Sequence, residues 1–497
     1  MDARLRYATI SDLRTLLDRR EISPEELAIE TLRALATYGP PLRAVAVLLP
    51  NRARSDAARL ASPSGGNRWA PGARLAGIPY GAKDLFAVRG APTAWGVPGY
   101  HDRREDRDAT VVRRLGSAGA VLVAKLATIE LAGGWGYRYP SASATGAART
   151  PWNVEHWAGG SSSGSGAAVG AGLVPFALGT ETSGSIVTPA AFCGVTGLRP
   201  TFGLVSRAGA MPLSWTLDKV GPLARSAVDA YHVLRAISGP DPADRDTLGT
   251  TFRYAPRRGR GRPTASRRRP VLPDPTPLER LESLRIAYAE SDFLTAPAPD
   301  ARAAFGMALE DLQRIGATWV PKCLPPELPY GAIVSIIGAV ESATTQAGLI
   351  DGPAFDTLVD QSQKASLLAA RDILARDYVD ALRGRRLVQD AFARLFSDVD
   401  LIATIARPDG APHVDRALDV GALDLPDAPS GNRSIIAAAN VAGLPAITFP
   451  CGFTSHHLPV AVQLVGPAWS EPLLVAVGAW FQSITDWHLR RPPDPTP

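Results

Sequence analysis

Two stretches of small residues carry the side chains best suited to nucleophilic chemistry. They are Gly159-Gly160-Ser161-Ser162-Ser163-Gly164-Ser165-Gly166 and Thr182-Ser183-Gly184-Ser185. Glycines let backbone amides approach a ligand closely, and the serines beside them leave hydroxyls available. Between the stretches, residues 167–173 have the small apolar composition of a packed helix, and residues 173–178 read as a buried strand. A flexible linker would lack such a core-like insert. Hydroxyls and free amides at both ends of one packed unit suit acyl transfer, in which an alcohol attacks a carbonyl carbon.

Such an alcohol needs a base. The seven histidines, at 101, 156, 232, 413, 456, 457 and 488, all lie outside segments as glycine-rich and apolar-flanked as the serine stretches. By contrast, Ile78-Pro79-Tyr80-Gly81-Ala82-Lys83-Asp84 brings a lysine after a tight apolar approach. Lysine is scarce here: Lys83, Lys125, Lys219, Lys322 and Lys364 are the only five among 53 basic residues. Arginine cannot give up its proton, whereas a desolvated lysine loses its proton readily and then works as a base near neutrality. Serine–lysine pairs are a known alternative to the histidine triad. Lys125 has nothing nucleophilic beside it and reads as structural, as do Asp84 and Glu130. Trp135, Tyr137 and Tyr139, in a glycine-rich segment, are candidate walls of a substrate cavity, with a core role equally open to them.

Two other chemistries use similar motifs. Gly160-Ser161-Ser162-Ser163-Gly164 matches the G-x-S-x-G nucleophile elbow of α/β-hydrolases, which would make Ser162 the nucleophile with a histidine base. That elbow requires a preceding strand, and Pro151-Trp152-Asn153-Val154-Glu155-His156-Trp157 is a poor one. A phosphate-binding loop requires Gly-Lys-Ser/Thr, and no lysine occurs between Lys125 and Lys219.

The elements that must position these groups follow from patterning. Residues 1–74 form a helical N-terminal portion. In it Ser23-Pro24-Glu25-Glu26 is a capping box opening a helix to about residue 38, and Gly39-Pro40 is the stop signal. From residue 75 onward, short β-like runs alternate with helical stretches, among them Val121-Leu122-Val123-Ala124, Leu401-Ile402-Ala403-Thr404-Ile405 and Ala446-Ile447-Thr448-Phe449. An amphipathic helix over 300–315 separates Leu284-Arg285-Ile286-Ala287-Tyr288 from Trp319-Val320, and helical pattern dominates 332–396. The alternation predicts one α/β domain over residues 1–497: an α/β/α sandwich around a large mixed β-sheet. Residues 240–277, rich in proline and arginine, read as a surface insertion.

Composition narrows the class further. A 497-residue chain that is 45% hydrophobic can bury a large core. The start of the chain lacks the apolar run of a signal peptide, and no uninterrupted segment is long enough to cross a bilayer. Cys193, Cys323 and Cys451 match no metal knuckle and cannot all pair, so a reduced cytoplasmic protein is expected. The net charge of +5 becomes −2 once the seven arginines of 257–269 are set aside, so the folded body is close to neutral. No aromatic residues are interleaved with those arginines, so nucleic acid is not an expected partner. No dinucleotide fingerprint or metal-ligand cluster stands out, and neither a cofactor nor a metal is expected.

Several blocks together resemble the amidase signature family. They are Lys83 in an apolar-Gly-x-Lys-Asp setting, Ser161 in Gly-Gly-Ser-Ser, and Ser185 in Gly-Thr-Glu-Thr-x-Gly-Ser-Ile. The likeness continues through Pro189-Ala190-Ala191-Phe192-Cys193-Gly194-Val195-Thr196-Gly197-Leu198-Arg199-Pro200-Thr201. It returns in Ala442-Gly443-Leu444-Pro445-Ala446 and in Leu458-Pro459-Val460-Ala461-Val462-Gln463-Leu464-Val465-Gly466. The resemblance covers nearly the whole chain outside the basic insertion. It implies a Ser–cis-Ser–Lys triad, with Ser185 as nucleophile, Ser161 as proton relay behind a cis peptide bond, and Lys83 as base. It also implies an oxyanion hole from the amides of Thr182, Ser183, Gly184 and Ser185, and a supporting role for Ser162. The implied activity is hydrolysis of a carboxamide C–N bond in a small-molecule amide, without a cofactor or membrane anchor and with homodimerisation open. An alternative is that the acyl group passes to an amine, or that ammonia is fed to a partner in tRNA-dependent amidation. The chain departs from the family where Ser163 and Ser183 replace common glycines, Glu181 a common aspartate, and Val187 a common arginine. That arginine helps amidotransferase subunits hold a substrate carboxylate, so Val187 argues against free glutamine.

Overall fold

Eleven strands form one mixed sheet. They are β1 (Val45–Leu48), β2 (Pro79–Lys83), β3 (Val121–Leu126), β4 (Phe176–Glu181), β5 (Thr196–Arg199), β6 (Lys219–Ala224), β7 (Arg285–Tyr288), β8 (Thr318–Pro321), β9 (Leu401–Ile405), β10 (Ala446–Phe453) and β11 (Pro459–Val465). Their spatial order is β1-β3-β2-β4-β6-β5-β10-β11-β9-β7-β8. This computed structural model describes residues 3–61, 73–247, 278–418, 431–432 and 434–495. The arginine run at 257–269, and with it most of the anticipated insertion, lies outside the described residues.

Side chains alternate between the two faces of each strand, and the core divides accordingly. Leu122, Phe176, Leu178, Leu198, Ile447, Phe449, Val462 and Leu464 face one continuous apolar layer. The helices Ile10–Asp18, Thr110–Ser117, Ala227–Ile237, Arg302–Gln313 and Glu471–Ile484 contribute to that layer. The opposite face is split. Val121, Val123 and Ala177 pack under helices Pro24–Leu42, Pro50–Ala61 and Ser163–Gly170. Ala287, Ile402 and Val465 pack under Tyr330–Thr345, Ala375–Leu395 and Ile435–Ala442. Helices on both sides of a mixed sheet make the α/β/α sandwich that the alternating pattern anticipated.

Three local expectations shift. The portion over 1–74, expected to be helical, also contributes β1, which pairs antiparallel with β3 at the sheet edge. The helix opened by Ser23 runs through Gly39, Pro40 and Pro41 to Leu42, and the left-handed terminating residue is Arg43 (φ 48°, ψ 36°). Burial decides this: Leu35 and Leu42 are both within the core, and extending the helix keeps them there. The strand anticipated over 173–178 instead spans Phe176–Glu181, preceded by Gly172 at φ +68°. Leu173 and Val174 fill core before it, and Thr180 and Glu181 extend it because both find polar partners at its end.

Candidate active site

The candidate residues gather where three parallel strands end. β2 lies between β3 and β4, parallel to both, so Lys83 and Glu181 terminate neighbouring strands at the same edge. Ligand sites in such sheets collect beyond the carboxyl ends of the strands. The helix Ser163–Gly170 that follows the first serine stretch is wholly buried. A Cβ at Gly164 would fall 2.3 Å from the Ala44 carbonyl oxygen and 2.4 Å from the Ala127 nitrogen, so only glycine lets this helix seat against the backbone beside it.

Lys83 is fully buried, and its Nζ donates to Ser161 Oγ at 2.7 Å and to Thr180 Oγ1 at 2.8 Å. Burial pulls its pKa from 10.5 down to about 7, against the opposing pull of the Asp218 and Glu181 carboxylates. Hydroxyls rather than carboxylates touch the amine, so nothing pins it in the charged form.

The peptide bond between Gly160 and Ser161 is cis, as the resemblance implied. Ser162 Oγ is buried and bridges the Thr180 backbone, donating to its carbonyl at 3.2 Å and accepting from its N–H at 3.3 Å. The Ser162 N–H donates to the Ser185 carbonyl at 3.3 Å, which couples the two serine stretches through their backbones. Ser161 Oγ and Ser185 Oγ make no hydrogen bond to each other, so the second link of the anticipated relay is not formed in this geometry. The elbow reading of Ser162 finds no support: no strand precedes it in the described segment 151–160, and its hydroxyl is engaged with backbone rather than with a histidine.

Glu181 braces the loop that carries Ser185. Its Oε2 accepts from the N–H groups of Ile186 at 2.8 Å and Val187 at 3.0 Å, while Oε1 accepts from Arg199 and Asn440, each at 2.8 Å. Burial alone would raise this carboxyl, yet Arg199, Asn440 and the Val187 N–H outweigh it and hold the pKa at about 2. Thr182 Oγ1 donates to Asp218 Oδ1 at 2.5 Å, and Asp218 Oδ2 accepts the N–H groups of Leu213 and Ser214. With the loop held from both sides, Gly184 takes φ +87°, a conformation natural to glycine. The N–H groups of Ser183, Gly184 and Ser185 donate to no acceptor among the described residues.

Ser183 and Ser185 open onto a cavity of about 960 Å³, lined also by Trp135, Tyr137, Trp157, Phe192, Ile336 and Arg407. Trp135 and Tyr137 are therefore at the cavity wall, whereas Tyr139 is 42% exposed and lies outside it. Lys125 pairs with Asp84 at 2.6 Å and with Thr93 Oγ1 at 3.0 Å, and Glu130 accepts the N–H groups of Val359 and Asp360. Among the described residues, no cluster of three or more histidine, cysteine, aspartate or glutamate side chains is placed to hold a metal. Sequence reasoning missed Asp218, Asn440 and Arg407, which reach the site from separate segments. Only Glu181, standing where aspartate is common, carried a visible signal.

The chain from residue 26 to 475 matches the Amidase family model. It belongs to that family. Over 97% of each chain it is 34% identical to a glutamyl-tRNA(Gln) amidotransferase subunit from Roseiflexus castenholzii. Among solved structures it resembles the native peptide amidase of Stenotrophomonas maltophilia, at 30% identity and a TM-score of 0.77 over 98% of each chain. It also resembles a chain from a vestigial protein complex tied to the origins of an s-triazine catabolic enzyme, at 28% identity and a TM-score of 0.80. That match covers 96% of this chain and 98% of the other. Membership places this amidase-family protein among enzymes of C–N bond chemistry. None of its described helices is long and apolar enough to cross a membrane.

Proposed function

We propose that this protein hydrolyses the C–N bond of a linear carboxamide through an acyl-enzyme on Ser185. The observation that carries the reading is Lys83: a buried amine with a pKa near 7, 2.7 Å from Ser161 Oγ and touched only by hydroxyls. In its neutral form Nζ keeps two N–H bonds and one lone pair. It donates one hydrogen to Thr180 Oγ1 and turns the lone pair to the proton of Ser161. Ser161 then draws the proton from Ser185 as Ser185 Oγ bonds to the carboxamide carbon. Rotation about the Ser185 Cα–Cβ bond between staggered positions re-aims Oγ without moving the braced backbone, and such contacts commonly tighten only when substrate binds.

The negative charge that develops on the carbonyl oxygen meets the unused N–H groups of Ser183, Gly184 and Ser185, with Thr182 at the edge of the same loop. The proton returns through Ser161 to the departing nitrogen, the C–N bond breaks, and ammonia or an amine leaves. Water then attacks the ester carbon by the same route and frees Ser185. Trp135 and Tyr137 act as cavity walls that hold the substrate. A fluorophosphonate trap tests this reading: mass spectrometry should place the adduct on Ser185, and labelling of Ser162 instead would overturn it.

A second reading, an ammonia-supplying component for tRNA-dependent amidation, draws support from the 34% identity to the Roseiflexus amidotransferase protein. The buried apolar Val187 speaks against it. Glutamine hydrolysis by the isolated chain, with ammonia as readout, separates the two.

A further inference from the structure

The cavity beside Ser185 has an uneven charge distribution. Among its described lining residues Arg407 is the only charged one; the others are aromatic, aliphatic, glycine or hydroxyl side chains. Arg407 is placed against the reacting loop. Its Nη2 would lie 3.1 Å from a Cβ at Gly184, the residue before Ser185. Its Nε donates to Thr188 Oγ1 at 3.0 Å, and Nη2 donates to the same hydroxyl. No carboxylate among the described residues pairs with it, and among those residues the Thr188 hydroxyl is the acceptor for a guanidinium that has five donors. Burial pushes its pKa below the ordinary arginine value, with Tyr137 and Glu181 opposing. Tyr137 stands nearby: its hydroxyl would lie 3.2 Å from a Cβ at Gly160, and it bonds to no described residue.

Arg407 is half-buried at the cavity wall, and a cation partly withdrawn from water is stabilised when an anion pairs with it. Guanidinium is the side chain that matches a planar carboxylate with two parallel hydrogen bonds. We infer that Arg407, assisted by the Tyr137 hydroxyl, is the anion-recognition group of this cavity, and that the substrate is an amide bearing a carboxylate close to its reacting carbonyl. The inference rests on the hydrolase reading for which bond is cut, and its binding component can be measured without turnover. Arg407 comes from the loop after β9, so it reaches the loop of Ser185 from the far side of the sheet order.

Matched amides test it. Glutaramate and glutaramide differ only in whether the far end is a carboxylate or a second carboxamide, and succinamate and succinamide repeat the comparison with a shorter chain. The wild-type protein should favour the acidic member of at least one pair by on the order of tenfold to a hundredfold in kcat/KM, mainly through KM. Arg407→Met should collapse that ratio towards one, and Arg407→Lys, which keeps charge without the fork, should retain part of it. Calorimetry on the Ser185→Ala protein gives the same comparison without catalysis: glutaramate should bind more tightly than glutaramide, and adding Arg407→Met should remove the difference. Wild-type preference for the neutral amides, an unchanged ratio in Arg407→Met, or equal binding of both ligands to Ser185→Ala would overturn the assignment. If Ser185→Ala still turns over glutaramide, the Ser185 acyl-enzyme reading fails, while the kcat/KM ratios with and without Arg407→Met still decide Arg407. If circular dichroism shows Arg407→Met unfolded, Arg407→Lys and the ligand comparison on Ser185→Ala carry the decision.

Discussion

Arg199 Nη1 donates to Glu181 Oε1 at 2.8 Å, and both side chains are wholly shielded from solvent. The pair links the end of β4 to β5, two strands separated by β6 in the sheet, and the free carboxylate oxygen holds the Ile186 and Val187 N–H groups. One carboxylate therefore fixes the loop of Ser185 to the core.

Replacing that carboxylate should be costly. Glu181→Gln leaves the Arg199 guanidinium buried without a counter-charge, and stability should fall by about 3–5 kcal/mol in denaturant unfolding. Glu181 is held at about 2 from an ordinary 4.5, so its contribution is complete above pH 4.5 and is lost as pH falls towards 2. A Glu181→Gln protein as stable as wild type at pH 7 would show that the pair does not anchor the loop.

The Lys83 amine sets the acid side of the activity profile. Its ordinary value of 10.5 falls to about 7, so the neutral base is lost as pH drops below 7. Amide hydrolysis should rise with pH through roughly 7 and then level, with a slope of one on the acid limb. Lys83→Ala should abolish that limb together with most of the activity. A wild-type profile flat from pH 5 to 9 would rule out an amine base.

Asp218 offers a check that leaves the triad intact. Its carboxylate pulls the Lys83 pKa upwards. Asp218→Asn removes that pull, so the acid limb should move to lower pH. The Thr182 hydroxyl still finds an amide oxygen at position 218, and kinetics across pH in parallel with wild type read the shift. A limb that moves to higher pH would contradict the charge argument.

Ser161 and Ser185 should separate in their effects. Ser185→Ala should lose both turnover and fluorophosphonate labelling. Ser161→Ala keeps the nucleophile but breaks the path to Lys83, so kcat should fall by roughly a hundredfold to ten-thousandfold. Slow labelling of Ser185 should persist in Ser161→Ala. Undiminished turnover in that variant would remove Ser161 from the proton path.

Gly184→Ala probes the loop itself. At φ +87° an alanine is strained, and its Cβ would press on Arg407 Nη2 at 3.1 Å. The N–H donors of the loop would shift, and loss of one such donor costs on the order of 100- to 1000-fold in rate. Activity equal to wild type, with unchanged thermal stability, would mean that the loop does not aim those donors.

The primary sequence already carried the site's local chemistry and the layered fold. Glycine–serine stretches, the lysine in Ile78-Pro79-Tyr80-Gly81-Ala82-Lys83-Asp84 and the β/α alternation are local patterns, set by side-chain size and by periods of two and 3.6 residues. Tertiary structure decided what those patterns meet. Pro40 and Pro41 stayed helical because Leu35 and Leu42 needed burial. The Lys83 pKa falls towards 7 because β2 lies between β3 and β4 and water is excluded from its end. Arg407, one of 48 arginines, bears no local mark; it matters because the sheet order brings the loop after β9 over Gly184. Desolvation and long-range juxtaposition belong to the folded chain as a whole, and no window of neighbouring residues encodes them.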